Sequence, residues 1–330
     1  MNLTFEQIAN IARGHIGYDV IDGKLRLHRF SDKQIDYFTN KNNKKFADRV
    51  YNCAGMTFDF YTDATSMRIT FSYAAAKPSS CPIKMDVYVD GTMMSYFDID
   101  SRPGITEYYE AELGKGEKKH IRVYLPYICD IFFHSVELVG ATYAEPYTDY
   151  TKNVLILGDS ITHGWYANFS SLCYASVITR RFGWNALNQA VSGFWFSGEW
   201  LDADLPFKPE LITVAYGTND WYKGEGREKY SATVHDFYTE LRRIYPDTPV
   251  VALLPIWRGE NDEKPCTKKE IAEITREIAE SYGAHVVDAY PFVPHLPDFF
   301  GEGRLHPNDL GFASYADGVA NALIELGFEK

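Results

Sequence analysis

The chain has 330 residues, a formal net charge of −12, 45% hydrophobic and 24% charged residues. That length suggests two domains, each large enough for its own core. The acidic balance argues against nucleic acid or an anionic membrane as the main partner, since both reward basic patches. No run approaches the ~20 apolar residues of a membrane span. The N-terminus lacks a basic stretch followed by an apolar one, so the expected location is cytoplasmic, or secreted if a signal peptide has been removed. Cys53, Cys81, Cys129, Cys173 and Cys266 are widely spaced and odd in number. They read as reduced, mostly buried thiols, with no metal site and no cofactor expected.

In chain order, Phe5, Ile8, Ala9, Ile11 and Ala12 form an apolar stripe behind Thr4, a short capped helix. Residues 18–50 are mixed and polar, and Lys41-Asn42-Asn43-Lys44-Lys45 reads as a solvated loop. From residue 51 the period changes to two. Residues 56–62 and 67–73 alternate around Asp63-Ala64-Thr65-Ser66, which predicts a hairpin. Residues 84–89 run into Asp90-Gly91, a strong turn signal, and further strands are expected at 94–99, 106–113, 120–125 and 131–139. About seven antiparallel strands without a helix among them predict a β-sandwich of jelly-roll type. Residues 143–152, with Pro146, read as a link, giving domains at 1–145 and 146–330.

Beyond the link the pattern is βαβα, with strands expected at 153–158, 185–189, 210–216, 249–254 and 284–288. Helices are expected at 171–182, 228–245, 267–282 and 309–325. This alternation predicts a doubly wound parallel sheet, a three-layer α/β/α fold of flavodoxin type. The first strand, Val154-Leu155-Ile156-Leu157-Gly158, leads directly into Asp159-Ser160 and, after a helical turn, Gly164. A serine on such a strand-to-helix turn presents its hydroxyl to the crevice at the carboxyl ends of the strands. Its own N–H opens a helix start that favours negative charge. An ordinary loop with a capping serine is the plain alternative.

Three more segments fall where strand ends converge. Gly193 lies in the loop after the second strand, where a glycine lets a backbone N–H approach a substrate oxygen. Asn219, in Gly217-Thr218-Asn219-Asp220 after the third strand, can offer a side-chain amide to the same oxygen. His306, in His306-Pro307-Asn308-Asp309 before the last helix, supplies a base. Trp195 and Trp221 lie close by in sequence, where aromatic faces suit a sugar ring or a small acyl group, or simple core packing. Asp159 is a candidate substrate contact, although bracing the turn suits it better. His163 reads equally as a substrate contact or a surface histidine, and Arg258 as a residue lining the same mouth or, the favoured reading, a surface residue.

The order Gly-Asp-Ser, loop glycine, Gly-Thr-Asn-Asp and late His-Pro-Asn resembles the GDSL/SGNH hydrolases over roughly residues 153–325. The resemblance implies Ser160 as nucleophile, His306 as base, and Ser160, Gly193 and Asn219 as the oxyanion hole. A jelly roll ahead of such a domain is similar to the two-domain carbohydrate esterases of family two. The implied activity is hydrolysis of small acyl esters, O-acetyl groups above all, on a small-molecule or oligosaccharide substrate. A thioesterase or lysophospholipase, or a non-catalytic carbohydrate-binding protein on this scaffold, are the rivals. The sequence leaves the oligomeric state open. Gly303 stands where the family usually carries the aspartate that orients the histidine. The reading is therefore a Ser–His dyad with a backbone carbonyl on the other histidine nitrogen, with Glu302, Asp298 and Asp288 as alternative acid partners.

Overall fold

The computed structural model describes residues 1–42, 46–74, 83–99, 103–259 and 263–329, without the side chain of Glu302. Asn43, Lys44, Lys45 and Cys81, each read above, lie outside these described residues. Helix Phe5–Ile11 opens on a capping box between Thr4 and Gln7, as its sequence predicts.

Two antiparallel sheets follow. One has the order Gly17–Ile21, Lys24–His28, Ile131–Val139, Ser66–Tyr73, Glu107–Glu112. The other has the order Ala12–Arg13, Thr57–Thr62, Lys119–Tyr124, Lys84–Val89, Thr92–Asp98, with Ala144–Pro146 also on Thr57–Thr62. Among the described residues from Lys24 to Val139, eight strands divide four and four in the two-Greek-key order of a jelly roll.

That topology corrects the hairpin expected at 56–73. Thr57–Thr62 and Ser66–Tyr73 lie in opposite sheets, with Phe58 of one sheet packed on Phe133 of the other at 5.1 Å. Alternation reports which face is buried, not which strand is the neighbour. The short connection turns a corner instead, where Asp63 accepts hydrogen bonds from Thr142 N and Oγ1. Asp90-Gly91 does join a hairpin, both residues having positive φ (47° and 81°) as a type I′ turn requires. Asp22-Gly23 does the same (50° and 71°) between Gly17–Ile21 and Lys24–His28, where the sequence reading assigned no strands. The segment read as a link also begins as a strand, Ala144–Pro146 pairing with residues 60–62.

The second half is a five-stranded parallel sheet in the order Trp184–Asn188, Lys152–Gly158, Leu211–Ala215, Val250–Leu253, His285–Val287. In chain order this is 2-1-3-4-5, the flavodoxin-like order, whose crevice opens between the first and third strands. Helices Tyr174–Phe182 and Asp309–Glu325 pack together, as do Arg227–Ile244 and Lys268–Ser281. The core of the sandwich is continuous with the apolar side chains of the first helix pair. The second core takes in Phe30, Phe38, Phe46 and Val50 from the N-terminal segment, packed among Phe194, Trp200 and Tyr238. The early chain therefore reaches the far face of the parallel sheet.

Asp86 is buried in this assembly on strand Lys84–Val89, and burial pushes its carboxyl up to about 7 against the weaker pull of Ser171 and Arg180. An unfolded aspartate titrates near pH ~3.9. Between those values the folded state holds the extra proton, so this group makes the fold less stable as pH rises from 4 to 7. Asp86→Asn is expected to remove that component. The difference in melting temperature between variant and wild type should then grow in the variant's favour from pH 5 to pH 8; a difference constant with pH would refute the assignment.

Candidate active site

The strand Lys152–Gly158 delivers the chain to the crevice, where Asp159 caps the short helix Ser160–His163 by accepting from Ile161 N at 2.9 Å. Gly158 is required here: a Cβ would lie 2.2 Å from Thr162 Oγ1, whose hydroxyl is within 2.9 Å of the Tyr174 hydroxyl. The turn closes on Gly164 at φ +107°. Facing it, the stretch before helix Asp309–Glu325, whose cap Asn308 accepts from Gly311 N at 3.1 Å, places His306 Nε2 2.8 Å from Ser160 Oγ. The two residues are 146 positions apart in sequence.

The loop after strand Trp184–Asn188 carries Gly193 at φ +77°. Asn219 lies in the first turn of the neighbouring helix Thr218–Lys223, and its Nδ2 donates to Phe194 O at 2.9 Å and lies 3.5 Å from Asp159 Oδ2. Asp220 ties these segments together by accepting from Gly217 N and Phe196 N at 3.1 and 3.2 Å. The loop 188–193 is braced from the N-terminal segment. Buried Arg29 donates to Asn188 O and Ala190 O (2.5 and 2.8 Å), and also to Asn52 O and Arg49 O. Arg49 Nη1 donates to Ser192 O and occupies the space where a Cβ on Gly193 would sit.

Electrostatics follow from burial. Desolvation, with Arg258 adding to it, pushes His306 down to about 4, so the imidazole is neutral at pH 7 and able to accept a proton. Asp159 and Asp220 are each raised to about 7, mainly by desolvation, with Asp220 adding to the rise at Asp159. A cavity of about 330 Å³ lies beside the site, lined by Gly217, Thr218, Trp221, Ile256, Arg258 and Tyr290 among others.

The structure thus brings Ser160, His306, Gly193 and Asn219 to one crevice. It leaves two of the acids expected as alternatives, Asp288 and Asp298, with other partners. Asp288 accepts from Tyr290 N and pairs with Arg276, and Asp298 is exposed on a turn whose backbone carbonyl binds Asn308. Neither carboxylate hydrogen-bonds His306; the Glu302 side chain lies outside the described part. Asp159 is buried and braces the turn through Ile161 N, with its other oxygen 3.5 Å from Asn219 Nδ2. Trp221 is buried beneath Arg258 and Lys268, each 4.7 Å from its ring. Trp195 stacks on Phe194 under Lys223.

His163 fits neither of its two sequence readings. It is buried, with its ring nitrogens against Tyr127 O and Ala190 O, and it fastens the nucleophile's helix to both halves of the chain. Arg258 is buried as well, and donates to Thr218 O. Residues that sequence reasoning missed are Arg29 and Arg49, whose partners lie about 140–160 residues downstream, and Trp165 and Tyr166, which flank His306. Only the last two offered a signal, two aromatics directly after Gly164.

Residues 156–313 match the GDSL-like Lipase/Acylhydrolase family. That match, just under half of the chain, runs from the first strand of the parallel sheet into the last helix. An acetylxylan esterase of Xylanibacter ruminicola is 24% identical over 209 residues, covering 52% of this chain and 42% of that protein. The chain thus spans under half the length of this curated relative. The salicylyl-acyltransferase SsfX3 from a tetracycline biosynthetic pathway superposes with a TM-score of 0.81 at 21% identity, over 96% of this chain and 94% of its own. A family two carbohydrate esterase from Clostridium thermocellum, solved with cellohexaose, gives 0.65 at 15% identity over 84% and 94%. At these identities the likeness is one of fold, a sandwich joined to a flavodoxin-like sheet.

Proposed function

We propose that this protein is a serine esterase that removes small acyl groups, O-acetyl above all, from a carbohydrate through a covalent acyl-enzyme. The observation that carries the reading is the 2.8 Å approach of His306 Nε2 to Ser160 Oγ, beside Gly193 and Asn219. Ser160 Oγ attacks the ester carbonyl carbon as its proton passes to His306 Nε2. The developing oxyanion is held by the N–H groups of Ser160 and Gly193 and by the Asn219 amide, each such donor being worth about 10²–10³ in rate. Collapse returns the proton from His306 to the departing alcohol. Water, deprotonated by the same imidazole, then releases the acid. The acetylxylan esterase relative and the carbohydrate esterase neighbour support acetylated saccharide as the substrate class.

A fluorophosphonate probe is expected to add to Ser160 of the wild type and not to Ser160→Ala, as read by intact mass. Nitrophenyl acetate should be cleaved faster than nitrophenyl octanoate, and acetylated xylo-oligosaccharide should release acetate. Preference for the octanoyl ester or for a thioester would move the reading to a lysophospholipase or thioesterase. Probe silence with no ester cleaved would leave a binding protein.

A further inference from the structure

The base in this site has no carboxylate partner among the described residues, yet its ring is held firmly. Tyr166 lies 5.5 Å from the His306 ring at an interplanar angle of 17°, a stacked arrangement, and Trp165 lies at 5.9 Å and 30°. Tyr166 adopts φ +75°, a backbone state that bulky residues avoid and that persists only where the surroundings impose it. Those surroundings are visible. Trp165 N donates to Ser160 O, and Ala167 is fixed through its N–H to Gly164 O and its carbonyl to the Tyr127 hydroxyl. Asn168 binds the Asp309 carboxylate twice, at 2.8 and 2.7 Å. Asp309 starts the helix that His306 precedes, so the aromatic pair and the imidazole are anchored to one another from both ends.

The chain opposite is shaped to admit the tyrosine. Gly301 N donates to His306 O at 2.8 Å, and a Cβ on Gly301 would lie 2.1 Å from Tyr166 Cδ1. By contrast, the Cβ position of Gly303 faces open space, at φ +78°.

We propose that Tyr166, supported by Trp165 and admitted by Gly301, is the positioning residue that orients the His306 imidazole, taking the place a carboxylate would hold. The proposal rests on His306 acting as the base for Ser160. A stacked ring fixes the plane of the imidazole and excludes water from it, but unlike a carboxylate it adds no charge. The imidazole consequently stays neutral to low pH, where a carboxylate partner would raise its pKa.

The test uses the whole protein with Tyr166→Ala, Tyr166→Phe and Gly301→Ala. Two readouts are needed: kinetics on nitrophenyl acetate, and titration of the His306 ring by NMR of histidine-labelled protein, assigned against His306→Gln. Tyr166→Ala is expected to lower kcat 10- to 100-fold with KM changed less than threefold, and to raise the titration midpoint of His306 by at least one pH unit. Phe at 166 should restore both, because the ring and not the hydroxyl does the positioning. Gly301→Ala should reproduce the alanine effect with Tyr166 intact, which guards against a variant that simply fails to fold. Unchanged kcat and titration in Tyr166→Ala and Gly301→Ala would overturn the proposal, as would failure of Phe to rescue. If the wild type cleaves no ester, the esterase reading falls, while the NMR arm still decides whether Tyr166 sets the imidazole.

Discussion

Ser160→Ala and His306→Gln are each expected to reduce kcat on nitrophenyl acetate by about 10⁴–10⁶, and the double variant to be no worse than either alone. Groups that move one proton in concert fail together, so their losses do not add. Residual turnover should survive from the Gly193 and Asn219 donors and from binding alone. The pH dependence follows from the same pair. His306 must be neutral to accept the serine proton, and burial pushes its pKa down to about 4. The limb of kcat/KM that His306 controls should therefore appear only as pH drops through about 4, separate from any step near 7 contributed by Asp159 and Asp220. An acid limb near 6.5, the ordinary histidine value, would mean that the imidazole is solvated in the free enzyme. Additive losses in the double variant would show that the two residues do not work as one unit.

Arg29→Met is expected to destabilise the fold by about 3–5 kcal/mol, from several buried carbonyls that lose a charged donor together. Arg29 is fully buried, and its guanidinium supplies four carbonyls: Asn52, Asn188, Ala190 and Arg49. Methionine fills much of the volume but removes a donor from each of these carbonyls; Ala190 O keeps the His163 ring and Arg49 O keeps Asn52 N, while a buried carbonyl left without any donor costs about 1–3 kcal/mol before relaxation. Loss of the buried cation offsets part of this, since desolvation already lowers the Arg29 pKa to about 9. Lysine cannot replace it, because one ammonium cannot reach four acceptors held in a planar fork. The midpoint in urea measures the stability term. Activity of the fraction that remains folded should also fall about 10²-fold, since the Gly193 N–H is set by the same loop. A variant within 1 kcal/mol of wild type, with full activity, would show that the network is dispensable.

The parallel sheet was legible because its strands are continuous apolar runs closed by turn residues, Val154-Leu155-Ile156-Leu157-Gly158 above all. Its four long helices fall within a few residues of their expected bounds. The meeting of Ser160 with His306 was legible too, since fixed topology sends both loops to one edge of the sheet. Local signals failed where a choice depended on distant partners. Residues 56–73 alternate whether they pair with each other or cross the sandwich, and only the jelly-roll order decides. Asp22-Gly23 carries the same signal as Asp90-Gly91, but the strand before it is exposed at Tyr18, Asp19, Val20 and Ile21 and so lacks alternation. Arg29 and Arg49 were invisible, and the part played by Tyr166 unreadable from its place after Gly164, for a stronger reason. A buried arginine serving carbonyls, or an aromatic beside a base, has no pattern in its own neighbourhood.

The bonds from Arg29 to Asn188 and Ala190 span 159 and 161 residues. Contacts of that separation form late, because a long loop must close before they repay its entropy. During synthesis the antiparallel sheets can assemble while the parallel sheet is still being made, holding Arg29 and Arg49 in wait for a loop that emerges afterwards. Catalytic competence then becomes the last property the molecule acquires. Tryptophan burial in a refolding chain should recover ahead of turnover, and a chain cut within the link at 147–151 should regain activity only when its two fragments are refolded together.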